Sequence, residues 1–529
     1  MALTKTHNRM IEGAPVNVLD FGAVGDGSTN DTAAIQAAID SGASTVIIPS
    51  SASSFLIADV TLSAGISLVG EGGEISFVLG STASGIDMQS NSSILNVNFD
   101  ISGADSLGTS AIIDVEGNDC RIEGCLFDGK TSGPSAFKAN YTIRISNTLS
   151  NLRTHIINNR FRNTYFGVIR QSGTTGNMSW SKINGNSFFG VDKGDAIEIN
   201  VGADIDIQVH GNTIYDVSGD GVTNAGIAIG IAGDGGSGGA PSSEIRKLSI
   251  VNNTVDNAVM GIHVEGCNSI SIASNMVNSI TGNGTEAGIQ IYSSDDFLIS
   301  GNQVGSCTIA GIQVQAEGAD QSSSGAVSGN LVKDCASGIN IDTDVASSSV
   351  VISGNHVKNS TSKGVGVKGS ADYNISANGT EDCVLGYSVN AESNANNVTV
   401  SANTSTNDTS THLFSNTAST NLYSGGNNFL ADFKPTITIV ANDTTPAVAS
   451  GNNYKTTANT GATAITDFTG SQDGQIIHVR GGSSTNASTI ADSGNFRLAG
   501  AMTLNVNASI SLQYNDTTTI WYEISRSVT

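Results

Sequence analysis

A short motif recurs along this chain as ISGNQV (299–304), VSGNLV (327–332) and ISGNHV (352–357). In every copy an asparagine stands between a small turn residue and the next stretch of strand-forming residues. Ten asparagines hold this position: Asn159, Asn186, Asn212, Asn253, Asn275, Asn302, Asn330, Asn355, Asn378 and Asn403. From Asn253 onward they are 22, 27, 28, 25, 23 and 25 residues apart. A near-constant period of this size is typical of a solenoid.

A second β signal returns once in each repeat, as in AGIQIYS (287–293), AGIQVQA (310–316) and SGINIDT (337–343). Both signals alternate apolar and polar residues with period two, and Gly, Ser, Asn and Asp separate them. Two or three short strands in a coil of about 25 residues predict a parallel β-helix. Coils stacked about 4.8 Å apart would place the asparagines in one hydrogen-bonded column.

The composition agrees with an all-β protein and restricts its partners. The 529 residues include 62 Gly and 6 Pro, with 38% hydrophobic and 13% charged residues. The abundance of turn-forming residues argues against helices and coiled coils. The net charge of −24 argues against nucleic acid and anionic membranes as partners. No apolar run is long enough to span a bilayer.

The cysteines predict neither disulfides nor a metal site. Cys307, Cys335 and Cys383 each follow one of the ten recurring asparagines by five residues, and Ser360 takes the same place in the intervening coil. This spacing indicates a column of buried thiols. Only Cys120 and Cys125 are close in sequence, and no second pair follows at zinc-site spacing. We expect no metal and no cofactor.

Two terminal segments bear on how the solenoid is closed. Asn30 or Asp31 can N-cap a short helix reaching about Asp40, with Ile35 and Ile39 on one face, which we expect to cap the first coil. The surrounding stretch 16–40, VNVLDFGAVGDGSTNDTAAIQAAID, resembles the opening of the pectate-lyase-like β-helix superfamily, which includes many phage tailspikes. The resemblance implies a right-handed parallel β-helix, but it does not indicate which reaction the protein catalyses.

After residues 427–435 the asparagine repeat stops, and the pattern of residues 436–529 predicts short antiparallel strands. ITDFTGSQDGQIIHV (465–479) and WYEISRS (521–527) are similar to a terminal β domain that follows β-helices in phage and related proteins. The resemblance implies a homotrimerisation domain, and a simple non-trimerising cap stays the alternative.

We therefore divide the chain into four parts: an attachment arm (1–15), an N-terminal cap with the first coils (16–70), a β-helix catalytic domain (71–434) and a C-terminal trimerisation or cap domain (435–529). The first residues contain no apolar signal-peptide core. Release with a virion by lysis is the expected route to an extracellular location, and the arm is expected to bind a phage tail component.

The Ile/Val pattern of the second strand in each coil predicts which side chains face outward. We expect two outward columns on this face: Glu198, Ala228, His263, Gln290, Gln313, Asn340 and Gly366 in one, and Asn200, Gly230, Glu265, Tyr292, Gln315, Asp342 and Lys368 in the other. Small Ala228 and Gly230 would then form a low floor between Glu198 and the His263–Glu265 pair. Tyr292, Gln290 and Gln313 would continue the face with an aromatic ring and amides suited to a sugar chain.

The block from 194 to 275 is also similar to phage tailspike depolymerases that degrade bacterial capsular polysaccharide or exopolysaccharide. It runs through GDAIEIN (194–200), AGIAIGIAGDGG (225–236) and MGIHVEGC (260–267). The resemblance implies an acidic site, and it carries over onto four residues: Asp195, Glu198, His263 and Glu265. Ile199 departs from the family, which often has an aromatic residue there.

Paired carboxyl groups suit glycoside hydrolysis, which needs one protonated acid and one ionised base. We expect Glu198 as the acid and Glu265 as the base, or the reverse, with Asp195 or His263 tuning the charge. Two other functions stay open. A polysaccharide lyase would need a cation near the site, and among the outward residues only Lys368 offers one. A non-enzymatic receptor-binding spike would bind polysaccharide without releasing reducing ends.

Overall fold

The computed structural model describes residues 13–528 except 52, 78–84, 103–110, 130–140, 147–149, 151, 171–176, 201–203, 220–225, 234–244, 283, 285, 317–323, 344–348, 370–371, 392–397, 409–410, 416–421, 426, 431–436, 449–451 and 472. Most of the predicted arm, residues 1–12, lies outside this range. Within it, no helix is both long and apolar enough to cross a membrane. The chain divides into two compact units, Met1–Leu430 and Ala431–Thr529.

The first unit is a right-handed parallel β-helix, which confirms the predicted solenoid. Successive strands enter three parallel sheets in turn, and each sheet pairs strands that lie one coil apart. Sheet 1 consists of Val16–Asn17, Thr45–Pro49, Ser67–Glu71, Ser93–Leu95, Arg121–Glu123, His155–Ile157, Lys182–Asn184, Ile205–His210, Ile245–Val251, Cys267–Ala273, Asp295–Ser300, Gly325–Ser328, Ser349–Ser353, Asp372–Ser376, Val398–Ser401 and Leu422–Gly425.

The other two sheets complete each coil. Sheet 2 consists of Phe55–Ile57, Glu74–Phe77, Asn98–Asp100, Leu126–Asp128, Arg160–Thr164, Ser187–Lys193, Thr213–Gly219, Thr254–Ala258, Met276–Ile280, Gln303–Cys307, Leu331–Lys333, His356–Lys358, Gly379–Glu381, Thr404–Thr406 and Asn428–Leu430. Sheet 3 consists of Val60–Leu62, Ile86–Met88, Ala111–Val115, Tyr141–Ile145, Val168–Arg170, Ile197–Asn200, Ile227–Ala232, Met260–Glu265, Ala287–Tyr292, Ala310–Ala316, Ser337–Thr343, Lys363–Gly369, Leu385–Ala391 and Thr411–Ser415.

The asparagine column forms as predicted and joins each coil to the next from Asn159 onward. Asn275 Nδ2 donates to Asn302 Oδ1 at 3.0 Å, and Asn302 Nδ2 donates to Asn330 Oδ1 at 2.9 Å. Each amide also bonds backbone, as Asn302 Nδ2 does to the carbonyl of Ile272 at 2.9 Å. Asn427 extends the column by one step beyond the predicted set. Because these amides are buried, their mutual hydrogen bonds remove a desolvation cost at every coil.

Part of the interior is a column of stacked phenylalanine rings within a core that is mostly isoleucine and valine. Phe99, Phe127, Phe161 and Phe188 stack with centroids 4.9, 5.0 and 4.4 Å apart. All six cysteines are free and buried, which confirms the thiol interpretation.

The N-terminal helix is found at Thr32–Ile39, after a short 3₁₀ helix at Val18–Phe21. Ile35 and Ile39 are buried in the same core as the coils. Asp31 occupies the N-cap position without capping by its side chain. Its carboxylate instead accepts hydrogen bonds from the N–H groups of Val24 and Gly25. The role of this helix as a cap stays a prediction.

The second unit is a small β domain of mixed pairing, so the expectation of a purely antiparallel domain was wrong. Its strands are Ile437–Thr438, Asn453–Lys455, Thr463–Ile465, Ile476–Arg480, Ser488–Ile490, Phe496–Arg497, Met502–Thr503, Ser509–Asn515 and Ile520–Ser527. The hairpin of the last two is antiparallel, as the turn residues between them predict. Asn453–Lys455 and Ile476–Arg480 pair in parallel across a longer connection. Alternating residues identify a strand but do not give its direction.

Candidate active site

The site residues lie on the outer face of sheet 3, where the register fixes two columns. One column is Glu198, Gly230, His263, Gln290, Gln313, Asn340 and Gly366, and the other is Asn200, Ala232, Glu265, Tyr292, Gln315, Asp342 and Lys368. The predicted columns are correct except in the strand Ile227–Ala232. There we expected Ala228 and Gly230, and the structure has Gly230 and Ala232.

The error comes from a bend at the start of this strand, which several other strands of sheet 3 share. At the bend two consecutive residues face the core, as Ala196 and Ile197 do. In the strand Ile227–Ala232 the inward pair is Ala228 and Ile229. Ile227 therefore faces outward, although alternation alone placed it inside. Because the three isoleucines of this strand stand at alternate positions, their pattern fits either Ala228 or Gly230 in the Glu198 column. The local pattern could not decide between these two registers.

This bend brings residues i and i+3 together on the outer face, although odd spacing in a regular strand would separate them. Ile227 leans over Gly230, where an added Cβ would lie 3.4 Å from Ile227 Cγ2. Gly230 and Ala232 keep the strand low between its neighbours. The predicted floor is therefore present, with one of its two predicted residues replaced.

Asp195 and Glu198 meet across the same bend. Asp195 is 6% exposed, and its Oδ1 accepts a hydrogen bond of 2.6 Å from the N–H of Ile227. Burial raises the pKa of Asp195 to about 6. Glu198 donates a hydrogen bond to Asp195, and burial together with the charge of Asp195 raises the pKa of Glu198 to about 7. The two carboxyl groups thus share a proton near neutral pH.

Asn200 holds the other side of Glu198. Its Nδ2 donates a short hydrogen bond to Glu198 Oε1, which opposes part of the rise in the Glu198 pKa. Asn200 was placed on this face by sequence but was not counted as a site residue. Its position two residues after Glu198 is a signal that could have identified it.

His263 and Glu265 stand across the floor. His263 Nε2 lies 3.3 Å from Glu265 Oε2, and the two side chains are 17% and 21% exposed. The His263 charge also lowers the pKa of Asp195, so the two halves of the site interact electrostatically. The structure thus brings together all four acidic-site residues of the sequence prediction, across two coils or about 10 Å of sheet.

The amides expected to bind substrate are mostly buried. Gln290 is 3% exposed; its Oε1 lies 3.3 Å from His263 Nδ1, and its Nε2 donates to Gln315 Oε1 at 3.0 Å. These contacts orient the His263 ring. Gln313 is 5% exposed, and Tyr292 lies partly exposed beside Gln315. In the part of the chain that the structure describes, no three His, Cys, Asp or Glu side chains form a group that could hold a metal ion.

Two family models match parts of this chain, each less than half of it. Residues 15–85 match "Rhamnogalacturonase A/epimerase, pectate lyase-like", and residues 199–380 match "Right handed beta helix region". No curated protein sequence matches the chain.

Solved structures with a similar chain path include three proteins of different kinds. The mannuronan C-5 epimerase AlgE6 A-module of Azotobacter vinelandii is 14% identical, with 79% of this chain and 99% of that chain covered and a TM-score of 0.43. The GH87 α-1,3-glucanase catalytic unit of Streptomyces thermodiastaticus is 14% identical, with 79% of this chain and 70% of that chain covered and a TM-score of 0.42. Tailspike protein 3 of bacteriophage CBA120 is 13% identical, with 97% and 69% covered and a TM-score of 0.39. Similarity at this level says nothing about the reaction of this chain.

Proposed function

We propose that this chain is a polysaccharide depolymerase that hydrolyses glycosidic bonds on sheet 3. The observation that carries the proposal is the buried Asp195–Glu198 contact beside the Gly230 floor, opposite the Glu265–His263 pair. The match of residues 15–85 to a family named after rhamnogalacturonase agrees with a polysaccharide substrate.

Glu198 is the proposed general acid. With its pKa raised to about 7, it holds a proton at the pH where an ordinary glutamate has lost it. Asp195 cannot be its catalytic partner, because carboxyl groups that hydrogen-bond each other leave no room for a sugar or a water. Asp195 therefore acts as a positioning residue that keeps Glu198 protonated.

Glu265 is the proposed general base. Its row lies two strands from Glu198, roughly 10 Å, and it sits two residues farther along its strand, roughly 7 Å. These offsets put the Cα atoms about 12 Å apart, so the side chains must lean toward each other over the floor. A carboxyl separation reached in this way would suit the ~6.5–9.5 Å of inverting enzymes better than the ~5 Å of retaining ones.

The biological setting is a further part of the proposal and rests on the sequence resemblances. We place the chain in a phage tailspike: a homotrimer held by residues 435–529, attached to the tail through residues 1–15, and acting on a bacterial surface polysaccharide. Mass measurement by light scattering tests the trimer. Deletion of residues 1–15 should leave an active protein that no longer enters virions, and loss of oligomerisation instead would contradict the arm.

The reaction is tested by incubating the protein with a panel of bacterial capsular polysaccharides and exopolysaccharides. Hydrolysis predicts new reducing ends and product masses that include one water for each cleaved bond. Ultraviolet absorbance of an unsaturated uronide would show a lyase and overturn the hydrolytic mechanism. Binding without any cleavage across the panel would show a receptor-binding spike and overturn the enzyme.

A further inference from the structure

The outer face of sheet 3 continues beyond the catalytic residues to a lysine in an unusual position. Lys363 and Gly366 lie across the same bend that joins Asp195 to Glu198. A Cβ on Gly366 would lie 2.5 Å from Lys363 Cδ and 3.0 Å from its Nζ. The lysine chain therefore lies along the sheet in space that only a glycine leaves open, instead of extending into solvent.

The Lys363 ammonium has no partner among the described residues, where it makes neither a hydrogen bond nor an ion pair. The neighbouring acid, Asp342, is engaged by Lys368, whose Nζ lies 3.2 Å from Asp342 Oδ2. Burial lowers the pKa of Lys363. A half-buried, unpaired cation is unfavourable in the free protein, and an anion seated beside it would remove that cost.

Amide groups lead from the catalytic residues to this lysine. Gln313 and Asn340 occupy the two rows before Gly366 in the same outward column. Gln313 is 95% buried, and its Oε1 accepts no hydrogen bond from the described residues. Such an atom is costly unless a donor from elsewhere reaches it. A sugar hydroxyl is a donor of that kind.

We infer that Lys363, Asn340 and Gln313 form a subsite that binds a uronic acid residue, with its carboxylate on the Lys363 ammonium and a hydroxyl of the adjoining sugar on Gln313. The identity of the ligand as a sugar rests on the proposed function. The subsite lies four rows from His263, roughly 19 Å along the helix axis, so it binds a unit several sugars from the cleaved bond. The polysaccharide is therefore acidic.

The charges on this face agree with a carboxylate rather than a more highly charged group. The rows between His263 and Gly366 in this column carry only amides, and the charges of Asp342 and Lys368 in the next column offset each other, so the unpaired Lys363 ammonium is the net local charge. One ammonium with an amide donor balances one carboxylate, whereas a phosphate monoester brings close to two charges. In a chain of net charge −24, an unpaired cation on this face would also favour one place and one orientation for an acidic polymer.

The experiment compares acidic bacterial polysaccharides with the same polymers after chemical reduction of their carboxyl groups. Binding to the wild type is measured beside Lys363→Met, Lys363→Arg, Gly366→Ala and Lys333→Met, with thermal midpoints as the check on folding. Lys363→Met removes the charge. Gly366→Ala keeps the charge but fills the space in which the lysine lies. Lys333→Met removes an exposed lysine from sheet 2 and is the matched control.

We expect the wild type to bind the native polymer about ten-fold or more tightly than the carboxyl-reduced one, less so at high salt. Lys363→Met and Gly366→Ala should lower affinity for the native polymer by a similar factor. Lys363→Arg should restore part of it, and Lys333→Met should have no effect. Equal binding of native and reduced polymers, or unchanged binding by Lys363→Met, overturns the subsite and leaves the depolymerase intact. No binding or cleavage of any polymer by the wild type overturns both.

Discussion

The carboxyl groups of Asp195 and Glu198 hydrogen-bond each other, although the two residues are three positions apart in an extended segment. They meet because Ala196 and Ile197 both turn into the core, which places the flanking carboxyl groups on the same outer face. The contact sets the protonation of the site, since the charge of Asp195 disfavours ionisation of Glu198.

Removing either proposed catalytic carboxyl group should abolish most of the activity. For Glu198→Gln and Glu265→Gln, made separately, we expect losses of about 100-fold to 10,000-fold in kcat, the range for acid–base groups. Reducing-end release measures the effect. Glu381→Gln on sheet 2 is the matched control and should be fully active. Full activity of both site variants would show that the chemistry lies elsewhere.

Asp195→Asn should shift the pH profile rather than abolish activity. Without the negative charge of Asp195, the pKa of Glu198 falls from about 7 toward the usual glutamate value, so the acid loses its proton at lower pH. The alkaline limb of kcat against pH should move to lower pH. A limb that stays in place in this variant would mean that Asp195 does not tune the acid.

The carboxyl groups of Asp195 and Glu198 also make the stability of the fold depend on pH. Their pKa values in the folded state, about 6 for Asp195 and about 7 for Glu198, lie above the ordinary values. The part of the unfolding free energy that depends on these carboxyl groups being protonated is therefore fully present below about pH 4. It is lost as the pH rises through about 7. Glu198→Gln should raise the unfolding free energy at about pH 8, relative to the wild type, by on the order of 1–3 kcal/mol. Urea unfolding at about pH 5 and about pH 8 measures it, and an equal effect at both values would contradict the raised pKa.

Filling the floor should block the substrate without unfolding the protein. Gly230 has an ordinary backbone conformation, and its only close neighbour is the partly exposed Ile227 side chain, so Gly230→Leu is expected to fold, to displace Ile227 and to place the new side chain over the site. Activity should fall by about 100-fold or more, because the sugar can no longer approach both carboxyl groups. Ala326→Leu, on the outer face of sheet 1 between Leu298 and Val351, is the control and should be active.

Breaking the asparagine column should destabilise the solenoid. Asn302→Ala leaves the Nδ2 and backbone N–H donors of Asn275 without their acceptor in a buried position. We expect a loss of about 2–4 kcal/mol in unfolding free energy, read from urea denaturation. Asn374→Ala, on the exposed outer face of sheet 1, should change stability by less than about 0.5 kcal/mol. Equal effects of the two substitutions would mean that the column contributes little.

Much of the fold follows from local patterns in the sequence. The spacing of Asn275, Asn302 and Asn330 predicts the repeat, and the alternation between them predicts the strands. Both are properties of residues a few positions apart, which a linear pattern records directly. The pairing of Asn427 as a further column member was missed because no regular repeat follows it.

The candidate site was predicted in part, and the misses share one cause. Glu198, His263 and Glu265 lie on the expected face because alternation holds within their strands. Asp195 was carried over by resemblance, and its contact with Glu198 could not be derived from a period of two. The Ile227–Ala232 register failed for the same reason, since the bend interrupts the alternation.

The sequence by itself determined the coil, its period and the face on which polar residues gather, because these depend on short-range order along the chain. Only the tertiary structure decided which residues meet across each bend. Asp195 reaches Glu198, Ile227 covers Gly230, and Lys363 lies over Gly366 because two consecutive residues turn inward between them. That turn depends on how each coil packs on the next, so the protonation of Glu198 and the position of Lys363 emerge only when the coils are stacked.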